Sequence, residues 1–238
     1  MMKGSFSKDP IVTFNGVSSI NPELRSYTGN SEGGIFGTVY MAVSQDVERG
    51  VLGVPGGSYG LLLPRSHDFM AEYTALKLRY PDPVDRINLV QIMQCLWDKA
   101  EPSGYIRAIS NEPLRNTPSH QVILQYGLGD AQVTWLGAHS ISRGVSGSVM
   151  FESNVPCGNE TFFGFDMVSD EEVVEGKSGI VGFDFDAPIP PFVNLPADKD
   201  FDTHEKVRRD ERSQEMMRIF FEEGTIVNTC EGPCNQEE

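Results

Sequence analysis

Short apolar runs closed by glycine or proline alternate with longer stretches of mixed polarity, which predicts strands and helices in turn. Residues 10–14 and 24–28 read as short extended segments. Residues 33–44 read as a buried helix, with small residues that permit close packing on a sheet. Residues 50–54 read as a buried strand, ended by Pro55-Gly56-Gly57. Between residues 61 and 118 the pattern turns helical. Residues 66–79 and 84–98 predict two helices punctuated by Pro81 and Pro83, with Val84, Ile87, Val90, Ile92 and Leu96 near one face of the second. This block lies between two strands, where a lid would sit.

Residues 120–126 carry the strongest strand pattern, followed by Gly127-Leu-Gly-Asp130 and a helix over 133–144. Residues 149–176, rich in glycine and acidic side chains, read as an irregular excursion. Residues 179–185 read as a further strand and 187–191 as an extended loop. Residues 204–223 read as one polar-faced helix with Gly224 as its C-cap. The expected fold is α/β, a mainly parallel sheet with flanking helices. It forms one domain over 1–238, with a helical lid at 61–118.

Composition narrows the function. The chain has 238 residues, 39% of them apolar, enough for one sizeable core. Its formal net charge of −15 repels phosphate backbones and anionic membrane faces, so nucleic acid is not an expected partner. No apolar stretch approaches the roughly 20 residues of a membrane span, and residues 1–9 lack the apolar core of a signal peptide. Cys230 and Cys234 suit a short disulfide better than zinc, because no second ligand pair lies nearby. The sequon Asn159-Glu160-Thr161 mildly favours a secreted origin.

The candidate chemistry lies in Gly29-Asn30-Ser31-Glu32-Gly33, with a strand before it and a helix after it. Glycines at these spacings, Gly29 and Gly33, let the backbone make a cramped strand-to-helix turn that presents a serine hydroxyl. The next backbone N–H, that of Glu32, then points at a developing oxyanion. Gly56-Gly57-Ser58-Tyr59-Gly60 repeats the pattern, but Pro64 cuts its helix short, so Ser58 reads as a strand-end loop. A serine of this kind needs an imidazole to take its proton and a carboxylate to hold the imidazole. Asp130 follows strand 120–126 and His204 follows strand 179–185, which places nucleophile, acid and base in the order Ser31, Asp130, His204. The structural alternatives are a turn or N-cap role for Asp130 and a helix-surface role for His204. Asp200 and Asp202 are rival acids, better suited to N-capping. His67, His120 and His139 read as surface or packing residues, and no HExxH pattern supports a metal hydrolase.

Four stretches carry a resemblance. Gly29–Ile35, Asp46–Gly56, Gln125–Val133 and Asp202-Thr-His-Glu205 with Arg208-Arg209 are similar to a group of often secreted, esterase- or lipase-like proteins of the α/β-hydrolase superfamily. The similarity spans nearly the whole chain. It implies a serine hydrolase acting on a small-molecule ester without metal or cofactor, and it leaves oligomeric state open. Members of that superfamily carry several strands before the nucleophile, one of them leading to the second oxyanion donor. Only 30 residues precede Ser31 here, too few for such units at roughly 30 residues each. The chain is therefore expected to be the C-terminal part of a hydrolase, or a catalytically inactive hydrolase-like binding protein. Alone it is expected to be marginally stable or to aggregate; a sharp monomeric melt would contradict that.

Overall fold

The computed structural model describes residues 5–154, 164–190 and 193–235; the sequon at Asn159 and Cys157 lie outside the described residues. The chain opens with a two-stranded hairpin, β1 (Thr13–Phe14) and β2 (Val17–Ser18), and then enters the main sheet at β3 (Ser26–Asn30). Helix α1 (Glu32–Val43) leads to β4 (Arg49–Gly53). Four helices follow: α2 (Tyr59–Leu62), α3 (Met70–Arg79), α4 (Pro83–Trp97) and α5 (Ile106–Ser110). Next come β5 (Gln121–Gly127), α6 (Trp135–Gly144), β6 (Val149–Phe151), β7 (Asp166–Val168), β8 (Val174–Glu175) and β9 (Gly179–Phe183). The chain ends with α7 (Thr203–Arg209), α8 (Glu211–Glu223) and β10 (Thr225–Ile226).

The central sheet has six strands in the order β3-β4-β5-β9-β6-β7, all parallel. Parallel neighbours need crossovers, and helices supply them for β3 to β4 and β4 to β5. Helices cover both faces, so the inner strands β4, β5 and β9 are nearly continuous buried runs, whereas the edge strands β3 and β7 carry exposed polar residues. Leu52, Val122, Leu124, Tyr126 and Ile180 pack with Met41, Ile109, Ala138 and Ile141 from α1, α5 and α6. Val51, Ile123, Val181 and Phe183 face the other way, onto Val207, Met216 and Phe220 of α7 and α8. Gln125 is a buried polar residue in the central strand β5, and it is satisfied. Its Nε2 donates to Ser213 O at 2.9 Å and its Oε1 accepts from Ser213 Oγ at 3.0 Å.

The α/β architecture, the helical stretch between β4 and β5, and Gly224 as an αL C-cap (φ 78°) agree with the sequence reading. Four expectations need correction. Residues 10–14 are extended only at Thr13–Phe14, because Pro10 starts a tight 3-10 turn over Pro10–Val12. The stretch 149–176 contributes β6 and β7 to the main sheet, and both are too short for periodicity to reveal. The last helix is two helices. Asp210 turns extended (ψ 126°) and its side chain accepts from Arg212 N at 2.9 Å and Ser213 N at 3.3 Å, so it starts α8 as an N-cap. In α4 only Val90 is buried, while Val84, Ile87, Ile92 and Leu96 are 45–70% exposed. At about 100° per residue they fan around the helix instead of forming one face.

The outer side of β3 pairs with no strand among the described residues. Beside it α1 leaves Phe36, Tyr40 and Val43 42–43% exposed. At the other end of the chain Cys230 and Cys234 form a disulfide. Asp184 N donates to Cys234 O at 2.8 Å, which pins this tail beside the end of β9. Among the described residues no helix is long and apolar enough to cross a membrane.

Candidate active site

In a parallel sheet every strand ends at the same edge, and the loops there converge. Ser31 sits at that edge with no loop on either side, between the last residue of β3 and the first of α1. Its backbone has φ 60° and ψ −120°, a conformation that costs a non-glycine residue about 1–3 kcal/mol. Surrounding hydrogen bonds enforce it. Ser31 N donates to Gly53 O at 2.9 Å, and Ser31 O accepts from Gly34 N at 2.8 Å and Ile35 N at 2.9 Å.

Close packing explains two glycines of this turn. A Cβ at Gly29 would stand 2.4 Å from Gly33 O, and one at Gly34 would stand 2.4 Å from Gly53 O. At Gly33 the nearest atom would be Tyr27 Oη at 3.9 Å, so this glycine has room for a side chain. The second crowded position is therefore Gly34, which the Gly-x-Ser-x-Gly pattern passes over; the Gly33-Gly34 doublet was its only trace in the sequence. Gly34→Ala is expected to lower stability by about 1–3 kcal/mol, whereas Gly33→Ala leaves the melt nearly unchanged. Thermal unfolding of the two variants checks the contrast.

Asp130 follows β5 through Gly127-Leu128-Gly129. Gly129 has φ +74°, and a Cβ there would meet the Ala187 side chain at 2.7 Å. This turn points the carboxyl inward, where Asp130 is 3% exposed. Both of its oxygens are used. Oδ1 accepts from Gln132 N at 2.8 Å and Val133 N at 3.0 Å, and Oδ2 accepts from His204 Nδ1 at 2.8 Å. The turn-former reading and the acid reading of Asp130 are thus compatible. His204 lies in the first turn of α7, itself buried (2% exposed). Because Nδ1 faces a carboxylate it carries the proton, which leaves Nε2 as the acceptor of the neutral ring. Nε2 is buried and has no hydrogen-bond partner among the described residues.

Burial pushes the His204 imidazole toward lower pKa, but the Asp130 hydrogen bond and charge, with Glu205 and Asp68, outweigh it and hold it above 6.5. Were His204 to serve as a general base, it would work only unprotonated, and any hydrolytic activity would fall as pH drops, with the acid limb of kcat/KM centred above 6.5. Stability moves in the opposite sense. The folded state binds this proton more tightly than the unfolded chain, so the contribution is full below the unfolded pKa and is lost as pH rises through the folded one. A pH profile centred at or below 6.5 would contradict this.

Register places the three residues relative to one another. Asn30 pairs with Gly53, and Gly53 with Gln125, so Ser31 and Asp130 leave the sheet at one edge, two strands apart. That is roughly 10 Å at the usual strand spacing. The structure joins Asp130 to His204 and sets Ser31 on the same edge; the Ser31 hydroxyl has no hydrogen bond to His204. Glu32 N–H is the first amide of the twelve-residue α1, at the positive end of the helix.

The rival residues take structural places. Ser58 precedes the four-residue α2. Asp200 accepts from Asp202 N at 2.8 Å and Gln132 Nε2 at 3.3 Å, and Asp202 stands at the N-cap position of α7 without a side-chain capping bond. His139 is enclosed by Tyr126, Trp135 and Phe165, with ring centroids 4.9–5.5 Å away. Burial first, and then the Arg143 charge, lower its pKa to about 3, so it packs as a neutral ring. His120 is buried with its ring nitrogens against Ser44 O and Ile109 O, and His67 meets Ala197 O. No protein-family model, curated protein or solved structure matches the chain.

Proposed function

We propose that this chain is a serine hydrolase of α/β-hydrolase type, acting on small carboxylic esters through an acyl-enzyme. The observation that carries this reading is the buried Asp130–His204 pair, whose Nε2 meets no hydrogen-bond partner among the described residues, at the same sheet edge as a serine in a strained backbone conformation. In the reaction Ser31 Oγ attacks the ester carbonyl while His204 Nε2 takes its proton. Asp130 stabilises the imidazolium and fixes its orientation without itself taking the proton. The Glu32 N–H donates to the tetrahedral oxyanion. His204 then protonates the departing alcohol, and water, activated by the same nitrogen, releases the acid.

Hydrolysis of p-nitrophenyl acetate and butyrate by the purified chain, with a burst of p-nitrophenol matching the enzyme concentration, is the expected result. A folded chain with no hydrolysis above buffer would overturn the reading. It would favour a catalytically inactive binding protein instead. One observation leans that way: the Ser31 hydroxyl has no hydrogen bond to His204, and one oxyanion donor alone leaves about 10²–10³ in rate unclaimed.

A further inference from the structure

A cavity of about 290 Å³ lies between the helices that follow β4 and the body of the domain. Its wall includes Arg65 and Arg86 and, among the described residues, no carboxylate. That is unusual in a chain with 34 acidic and 19 basic residues. Several other arginines are ion-paired: Arg107 with Glu112, Arg208 and Arg209 with Glu205, Arg212 with Asp210, and Arg218 with Glu215 and Glu222. Arg65 and Arg86 have no ion pair among the described residues.

Both guanidinium groups are held in place by backbone carbonyls. Arg65 Nη1 donates to Leu61 O at 3.0 Å, and Arg86 Nη1 donates to Tyr80 O at 2.7 Å and Pro81 O at 2.6 Å. Their Nε atoms are buried and meet no acceptor among the described residues. Burial draws the Arg65 pKa down from its usual value, partly opposed by Tyr73, yet a guanidinium stays charged. Both side chains are half-buried, with their Nε–H donors turned away from water and unmatched; an anion between the two would accept from them and supply the missing counter-charge. Gln91 and Asn194 add polar groups to the same wall, and Ile87 and Val90 add an apolar side.

The cavity adjoins the candidate active site. Arg65 also lines the narrow crevice that contains Asp130. Ser58, on the cavity wall, precedes Tyr59, which packs against the cluster of Ile35 from α1 with Leu62 and Val133. We propose that this cavity binds an oxyanion, a carboxylate or a phosphate, between Arg65 and Arg86. Resting on the hydrolase reading, the oxyanion is a distal group of the ester substrate.

Calorimetric titration of the full chain carrying Ser31→Ala tests this without turnover, using monomethyl glutarate, methyl valerate and inorganic phosphate as probes. Monomethyl glutarate is expected to bind at least about tenfold more tightly than neutral methyl valerate. Binding of phosphate as well identifies a general oxyanion site, and its absence identifies a carboxylate site. Adding Arg65→Gln or Arg86→Gln is expected to weaken binding about tenfold or more. If one variant fails to fold by circular dichroism, the other decides. Equal affinity for the charged and neutral esters, no binding of either anion, or binding unchanged in a folded arginine variant would overturn the proposal. Anion binding by a chain that hydrolyses no ester would instead defeat the esterase reading and leave the oxyanion site standing.

Discussion

Replacing Ser31 by alanine is expected to lower kcat on a short p-nitrophenyl ester by roughly 10⁴–10⁶-fold. The hydroxyl is the only group of the proposed mechanism that bonds to substrate carbon, so nothing else can form the acyl-enzyme. The same position separates chemistry from strain. Alanine keeps a Cβ at φ 60° and inherits the cramped backbone, so Ser31→Ala should melt close to the parent. Ser31→Gly removes that penalty and is expected to raise stability by about 1 kcal/mol while losing the same activity. Activity that persists in Ser31→Ala would remove this residue from the mechanism. A destabilised Ser31→Gly would mean that the surrounding turn does not hold the strain inferred here.

Asp130→Asn is expected to cost about 10⁴-fold in kcat while leaving the protein folded. Two backbone donors decide how the new amide sits. Gln132 N and Val133 N both donate to Oδ1 of Asp130, so the amide oxygen of an asparagine is held there and its NH₂ turns to His204. An NH₂ at that place donates to Nδ1, which moves the ring proton to Nε2. The nitrogen that should accept the serine proton is then already protonated. The same change removes the carboxylate that raises the His204 pKa, so any residual acid limb should shift to lower pH. Asp130→Ala is a harsher test of structure than of chemistry, because both backbone donors lose their acceptor at about 1–3 kcal/mol. Near-parent turnover in a folded Asp130→Asn would show that the imidazole is oriented by something else.

Much of this arrangement was legible in the sequence, for physical reasons that differ by element. The strands β4, β5 and β9 announce themselves because helices cover both faces of the sheet, which demands unbroken apolar runs. Asp130 and His204 were found because turn glycines and a loop mark where each follows its strand. The neighbourhood of Ser31 was only half legible. A spacing rule points to Gly29 and Gly33, but which glycine is crowded depends on Gly53 O from the adjacent strand, and this selects Gly34. The short strands β6 and β7 were hidden because two or three apolar residues carry no period. Asp210 concealed a helix break, since an acidic residue within a polar stretch reads equally as helix interior or N-cap. The exposed apolar positions of α4 show the limit of pattern reasoning, because apolar residues are not evidence of burial until a partner surface is known. Arg65 and Arg86 had no sequence signature at all; their pairing at one cavity depends on how the helices after β4 fold back.

The most direct measurement is peptide mapping by mass spectrometry after treatment with a fluorophosphonate, which traps a serine whose hydroxyl is activated by a neighbouring base. The account predicts one adduct, on the peptide bearing Ser31, and none in His204→Gln. An adduct on Ser58 instead, or a folded protein that takes up no reagent, would contradict it.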